Sequence, residues 1–357
     1  MKKIGLVTLY DNRNYGNKLQ NYAIQILVKK MGFYIETIRI QNSQCNHFKF
    51  IFNRLKYYVK KILPHKLYKN INFKIFEKKF IKNTKKVYYS NEKNISLNSK
   101  FDLFIVGSDQ VWNPTFGNKG CFKTLDFTNS KISFSASFGV GSIPDSEKEF
   151  FKKNLINFKM ISVREDEGKK IVQECTERKD VEVLIDPTML LTSHDWNQVI
   201  KKPKQINNIK LKKYILNYFL GDMSEEREKE INRIAKENKC EIINIMDKKD
   251  PFNVSGPSEF LWLEKNAYLI CTDSFHSSVF AILFDRPFIV FEREGKEQKM
   301  SSRIDTLINK FKLENRRYNG KEITKENLEH DYTEAYKILD KERQKSKDFL
   351  EKAFDIK

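Results

Sequence analysis

The sequence predicts an α/β fold built as two domains, each around its own parallel sheet. Three observations carry this. Short apolar runs of strand type alternate with helix-type runs for most of the chain, the pattern of repeated strand–helix–strand units. The alternation stops at a charged stretch without apolar periodicity, residues 201–213, and then restarts. Finally, 357 residues is long for one hydrophobic core and ordinary for two. Two Rossmann-like domains with a cleft between them is the simplest arrangement that satisfies all three.

The elements follow in order. Lys3 to Tyr10 is a buried-type strand, and the polar loop Asp11 to Lys18 leads into a helix through Leu19, Ala23, Ile26 and Leu27 that ends near Gly32. Tyr34 to Ile40 is a second strand. A basic insertion, about 45–100, follows and is expected to be helical. Strands are expected over Phe101–Val106, Lys131–Ser137, Met160–Val163 and Val181–Ile185, with a helix from Asp166 to Glu174 between the last two. The first domain is thus 1–200. In the second, 201–330, Tyr214–Leu220, Glu241–Met246 and Tyr268–Thr272 are strands. Ser224 opens a helix as its N-cap with acids in the first turn, and Pro257–Lys265 is a short helix. The tail, 331–357, is a Lys- and Glu-rich helix that either packs on the first domain or caps the second.

Composition narrows the function classes. Apolar residues make up 40% and aromatic residues 13%, ample for packed cores. The five cysteines are scattered without CxxC spacing, which fits reduced thiols in a cytosol and argues against disulfides and structural zinc. No run approaches the ~20 apolar residues of a membrane span, and the N-terminal apolar run is too short for a signal peptide. The net charge is +19, and Lys49–Lys100 alone holds fifteen basic residues against two acids, interleaved with aromatic and aliphatic side chains. Such a segment suits an anionic membrane surface, the inner leaflet for a cytoplasmic protein. A solvated helical face is the plainer alternative. Nucleic acid is disfavoured because no helix-turn-helix, RRM or finger pattern accompanies the charge.

The chemistry concentrates on an elbow in the second domain. The strand ending at Thr272 delivers Asp273-Ser274-Phe275-His276, and an apolar helix begins there. In an open parallel sheet the carboxyl ends of strands line the ligand crevice, and a helix N-terminus favours anions. An imidazole beside an anion site is an acid/base position. Asp273 either orients that imidazole or caps the helix. No metal-ligand cluster is visible.

Several segments, in this order and spacing, resemble the polysaccharide pyruvyl transferase family. They are Asn14-Tyr15-Gly16-Asn17-Lys18-Leu19-Gln20-Asn21-Tyr22-Ala23, Gly107-Ser108-Asp109-Gln110-Val111-Trp112-Asn113-Pro114, Ser133-Phe134-Ser135-Ala136-Ser137-Phe138-Gly139, Ser162-Val163-Arg164-Glu165, Asp186-Pro187-Thr188, Thr272-Asp273-Ser274-Phe275-His276 and Ser302-Arg303-Ile304-Asp305-Thr306-Leu307. The resemblance implies a GT-B-like fold and transfer of a pyruvyl group from phosphoenolpyruvate, as a ketal, to a hexose of a capsule, exopolysaccharide or cell-wall glycan, carried on an undecaprenyl-diphosphate-linked intermediate. It needs no cofactor or metal. It places the catalytic His at His276, and Arg164, Ser274, Phe275 and Arg303 on the donor. Better-studied members of the family carry Arg where this chain has Ser274, so Arg293, Lys296 or Arg303 is expected to supply the missing charge. Asp109 is a candidate acceptor-side base, and Asn14, Tyr15, Asn17, Gln20, Ser108 and Gln110 are candidates for acceptor hydroxyls. Trp112 either stacks on a sugar or fills the core. The alternative reading is a GT-B glycosyltransferase using a nucleotide sugar, and a membrane-surface scaffold is the non-enzymatic one.

Overall fold

The structure is a computed structural model that describes residues 1–9, 14–41, 64–89, 95–115, 129–207, 211–295 and 302–356. The chain divides into two compact units, one of Met1–Pro187 with Glu351–Lys357, the other of Thr188–Leu350.

The first unit contains β1 (Lys3–Val7), α1 (Tyr15–Lys30), β2 (Tyr34–Gln41), α2 (Pro64–Phe80), β3 (Asn83–Tyr89), β4 (Leu103–Val106), β5 (Lys131–Ala136), α3 (Asp145–Leu155), β6 (Met160–Val163), α4 (Asp166–Thr176) and β7 (Val181–Val183). Seven strands form one parallel sheet in the order β3-β2-β1-β4-β5-β6-β7. Strands such as Leu103-Phe104-Ile105-Val106 are buried throughout, as parallel strands covered on both faces require. The order reverses between β1 and β4, and the carboxyl ends of those strands flank the ligand crevice of a doubly wound sheet.

Two elements of this unit depart from expectation. The insertion is not wholly helical: after α2, β3 adds an edge strand beside β2. Its Lys85 and Lys86 interrupt the apolar signal, yet exposed lysines suit a sheet edge because they discourage pairing with another chain. Residues 45–63 of the insertion lie outside the described residues. The helix α3, unforeseen in the sequence, buries Glu147, Phe151 and Leu155 at four-residue spacing. Trp112 lies in the core, its ring 5.3 Å from Phe138 and edge-on to Phe158 at 5.9 Å, which settles it as packing and not a sugar platform.

The second unit contains α5 (Ser193–Asn197), β8 (Tyr214–Tyr218), α6 (Glu225–Glu237), β9 (Glu241–Asn244), α7 (Pro257–Asn266), β10 (Leu269–Thr272), α8 (Phe275–Leu283), β11 (Phe288–Val290), α9 (Ser302–Phe311), α10 (Lys325–Leu328) and α11 (Thr333–Phe354). Its four strands are again parallel, in the order β11-β10-β8-β9, so this sheet reverses between β8 and β10. Both units are Rossmann-like α/β layers, the fold class the alternation predicts.

The division falls at Pro187/Thr188, not in the charged stretch at 201–213. The segment between belongs with the second unit because its polar groups are satisfied there: Trp196 donates to the Thr188 carbonyl at 3.2 Å and Ser193 to that of Leu283 at 2.9 Å. The tail is likewise split. Most of α11 belongs to the second unit, where Arg343 donates to the Met189 and Leu191 carbonyls. The last turn belongs to the first, where Lys2 and Lys159 hold Asp355.

Candidate active site

In the second unit the chain leaves β10 through Asp273 and Ser274 and enters α8 at Phe275 and His276. Ser274 is the N-cap residue, with extended backbone and no side-chain capping bond. The buried residues from Val279 to Leu283 fix the helix to its sheet, so His276 is held in the first turn, at the positive end of the helix dipole. It keeps 6% of its surface exposed, and its ring stands edge-on to Phe275 at 5.3 Å.

Asp273 ties together the strand ends around this turn. Its carboxylate accepts from the N–H groups of Leu220 and Gly221, both at 2.8 Å, and from Arg293 Nε at 3.2 Å. The sequence left Asp273 as a helix cap or an orienter of the imidazole, and the structure corrects the first reading: its carboxylate bridges the end of β8 to the segment after β11. Gly221 has no room for a side chain, since a Cβ there would lie 2.4 Å from the Glu294 carbonyl oxygen. Ser274 stands where the resemblance places an Arg, and Arg293 brings a guanidinium to the adjacent residue, donating to the Asp273 carbonyl at 3.2 Å. Arg303 lies buried in the first turn of α9. Lys296 lies outside the described residues. Next to His276, Ser277 donates to Glu264 at 2.6 Å. Burial pushes the Glu264 carboxyl well above the usual carboxylate range, opposed only by that hydrogen bond.

The strand ends of the first unit carry a different arrangement. Arg164 follows β6 directly, and its side chain is 1% exposed. Its two terminal nitrogens donate to Asp186 at 2.6 Å and to Asp109 at 3.0 Å. Burial alone would lower the guanidinium's pKa, but Asp186, Asp109 and Glu165 outweigh it and hold the group charged. Asp109 adopts a left-handed backbone, φ 63°, a costly conformation for a residue with a side chain. Ser108 Oγ donates to Asp186 at 2.9 Å, and its backbone N–H donates to Gln20, which in turn donates to Thr8 at 2.7 Å. Glu165 collects donations from Ser137 Oγ and from the Phe138 and Gly139 N–H groups.

The expected acceptor residues therefore divide. Gln20 and Ser108 are fully buried, and their side chains link the ends of β1, β4 and β7. Tyr15 is buried with its ring 4.9 Å from Phe73. Asn14 caps α1 by accepting from the Asn17 N–H. Asn17 and Gln110 are buried near the same edge. Thr8, Glu165, Asp186 and Glu264 were missed as site-forming residues. The available signal was an acid or hydroxyl immediately beyond an apolar strand or inside an apolar helix, where burial demands a partner.

A model of one family, described as polysaccharide pyruvyl transferase, matches residues 14–295. The chain belongs to the polysaccharide pyruvyl transferase family. That match covers Gln20, Ser108, Asp109, Arg164, Asp186, Asp273, His276 and Arg293, while Thr8 and Arg303 lie outside it. No curated protein matches the chain. Solved structures similar to it include an uncharacterised protein from Klebsiella pneumoniae (12% identity, TM-score 0.46, covering 89% of this chain and 91% of that one). Others are UDP-GlcNAc 2-epimerase from Methanocaldococcus jannaschii (15%, 0.44, 95% and 98%) and a putative UDP-N-acetylglucosamine 2-epimerase from Listeria monocytogenes (12%, 0.47, 97% and 90%). At these similarities the assignment rests on the pyruvyl transferase family match.

The second unit of this pyruvyl transferase family member also holds a cavity of about 290 Å³ where β8 and β9 end, lined in part by Asn217, Gly221, Glu228, Asn232, Asn244 and Asp247. Its described lining carries two acids and no basic side chain. Among the described residues, no group of three or more His, Cys, Asp or Glu side chains could hold a metal ion.

Proposed function

We propose that the protein transfers a pyruvyl group from phosphoenolpyruvate to a hexose of a capsule, exopolysaccharide or cell-wall glycan intermediate carried on undecaprenyl diphosphate. The reading rests on family membership, and the observation that carries it further is His276 in the first turn of α8, beyond the carboxyl end of β10. The chemistry needs a proton delivered to the donor's methylene carbon and attack of a sugar hydroxyl on the carbon bearing the phosphate. Phosphate then departs, and a second hydroxyl of the same sugar closes the ketal. Imidazole exchanges protons near neutral pH and serves both proton steps.

Phosphoenolpyruvate also needs cations, and Arg grips phosphate or carboxylate with paired bonds. We assign that work to Arg303 and Arg293, with the Ser274 and Phe275 backbone at the helix start. Arg164 and Asp109 are assigned a positioning role, because the Arg164 side chain is 1% exposed and bridges two carboxylates, Asp109 and Asp186. Asn14, Asn17 and Gln110 are assigned to the acceptor.

The test is incubation of purified protein with phosphoenolpyruvate and lipid-linked sugars, reading phosphate release and glycan mass. A glycan carrying one pyruvyl group per phosphate released is expected. Phosphate release without pyruvylated glycan, or no reaction with any acceptor sugar, would overturn the reading. Thermal stabilisation by UDP- or GDP-sugars but not by phosphoenolpyruvate would favour the nucleotide-sugar alternative.

A further inference from the structure

The helix α2 has two apolar faces, and among the described residues only one is packed. Phe73 and Phe76 are buried, packing on α1 through Tyr15 and Tyr22. The helix is pinned there by a Lys18–Glu77 ion pair at 2.7 Å. On the other side Leu67, Tyr68, Ile71 and Ile75 are exposed by 46%, 57%, 40% and 54%. At 100° per residue these four span an arc of roughly 100°, opposite the buried phenylalanines. Among the described residues, nine large apolar side chains are exposed and four of them sit on this one ridge, so the ridge is a patch and not the usual scatter.

Its surroundings are basic. Lys74, Lys78 and Lys79 are exposed on the same helix, Lys82 is exposed in the connection after it, and Lys85 and Lys86 are exposed on the edge strand. The acid within this stretch, Glu77, is held by Lys18 and Asn83. An apolar ridge flanked by lysines is the form of a helix lying in a membrane interface, with side chains at the acyl boundary and ammonium groups among anionic headgroups. A second copy of this chain would bring like charges together across the same face.

We propose that the exposed face of α2 docks the protein on an anionic lipid bilayer. The inference is independent of which reaction the strand-end clusters perform.

Flotation of the intact protein with phosphatidylcholine vesicles, with or without phosphatidylglycerol, tests it. Binding is expected only to the anionic vesicles and should weaken steeply with added salt. Ile71→Ser/Ile75→Ser and Lys74→Glu/Lys78→Glu should each weaken binding by roughly tenfold or more. Both pairs are exposed, so melting temperatures should not change. Absence of anionic-vesicle binding overturns the proposal, as does binding that both variants retain. It is also overturned if the protein is a dimer that the Ile71→Ser/Ile75→Ser variant dissociates, because the ridge then serves a protein contact.

Discussion

Both units place a polar cluster beyond the carboxyl ends of parallel strands, yet the clusters are built differently: the first reaches from β1 to β7, the second gathers around β8 and β10. In the first unit Arg164 spends its terminal nitrogens on Asp109 and Asp186, and Ser108, Gln20 and Thr8 bond one another. With Glu165 nearby, three acids face one guanidinium. In the second unit the carboxylate of Asp273 takes up backbone N–H groups and Arg293, and His276 stands at a helix start. Guanidinium groups are matched by carboxylates in both clusters, Arg164 by Asp109 and Asp186 and Arg293 by Asp273. What separates the two is the imidazole that stands at the helix start of the second.

That contrast can be broken by mutation. The largest effect is expected at the second cluster. His276→Ala should lower pyruvyl transfer by about 10²–10⁴-fold, the usual contribution of a general acid–base group, with little change in urea midpoint. Unaltered turnover would remove His276 from the chemistry.

Arg164→Ala should do the reverse. It leaves buried carboxylates without their cation, which costs about 3–5 kcal/mol, read as a lower urea midpoint. Activity per folded molecule should fall far less than in the His276 variant. If stability holds while the Michaelis constant for phosphoenolpyruvate rises sharply, Arg164 is a donor ligand and the contrast fails.

Gly221→Ala probes how tightly the second cluster is packed. The added Cβ meets a backbone carbonyl that cannot swing away, and about 1–3 kcal/mol of destabilisation is expected in chemical denaturation. A neutral result would mean the segment around Glu294 yields.

A further effect is pH-dependent. Glu264 has a folded-state value raised above the ordinary 4.5 by burial, so the folded state binds its proton more tightly than the unfolded chain does. Its stabilising contribution is complete below the ordinary value and is lost as pH climbs toward the folded one. Within that window wild type should lose roughly 1.4 kcal/mol per pH unit relative to Glu264→Gln. Parallel stability curves for the two proteins between pH 5 and 8 would show that Glu264 ionises freely in the fold.

Much of the fold was legible because parallel strands buried on both faces are short uninterrupted apolar runs. Met160–Val163 matches its expected limits, and the turn carrying His276 lies where the end of β10 put it. The edge strand β3 was not legible, because the lysines that protect a sheet edge also erase its apolar signature. Nor was the unit boundary, which follows the contacts of Trp196 and Ser193 and not the charge of the stretch beyond them. In α1 the polar residues Asn21 and Gln25 are buried and bond Thr37 and the Lys82 carbonyl, pairings that no local pattern announces.

By itself the sequence determined the α/β class, the strand succession along the chain apart from β3, the family and the histidine at the helix start, since these depend on local periodicity and ordered short motifs. Only the tertiary structure decided the partners: Arg164 with two aspartates, Asp273 with Arg293 and two backbone amides, and one face of α2 packed while the other is bare. Those pairings join residues far apart in the chain, and the burial that sets the energy of each charge exists only once both sheets have formed.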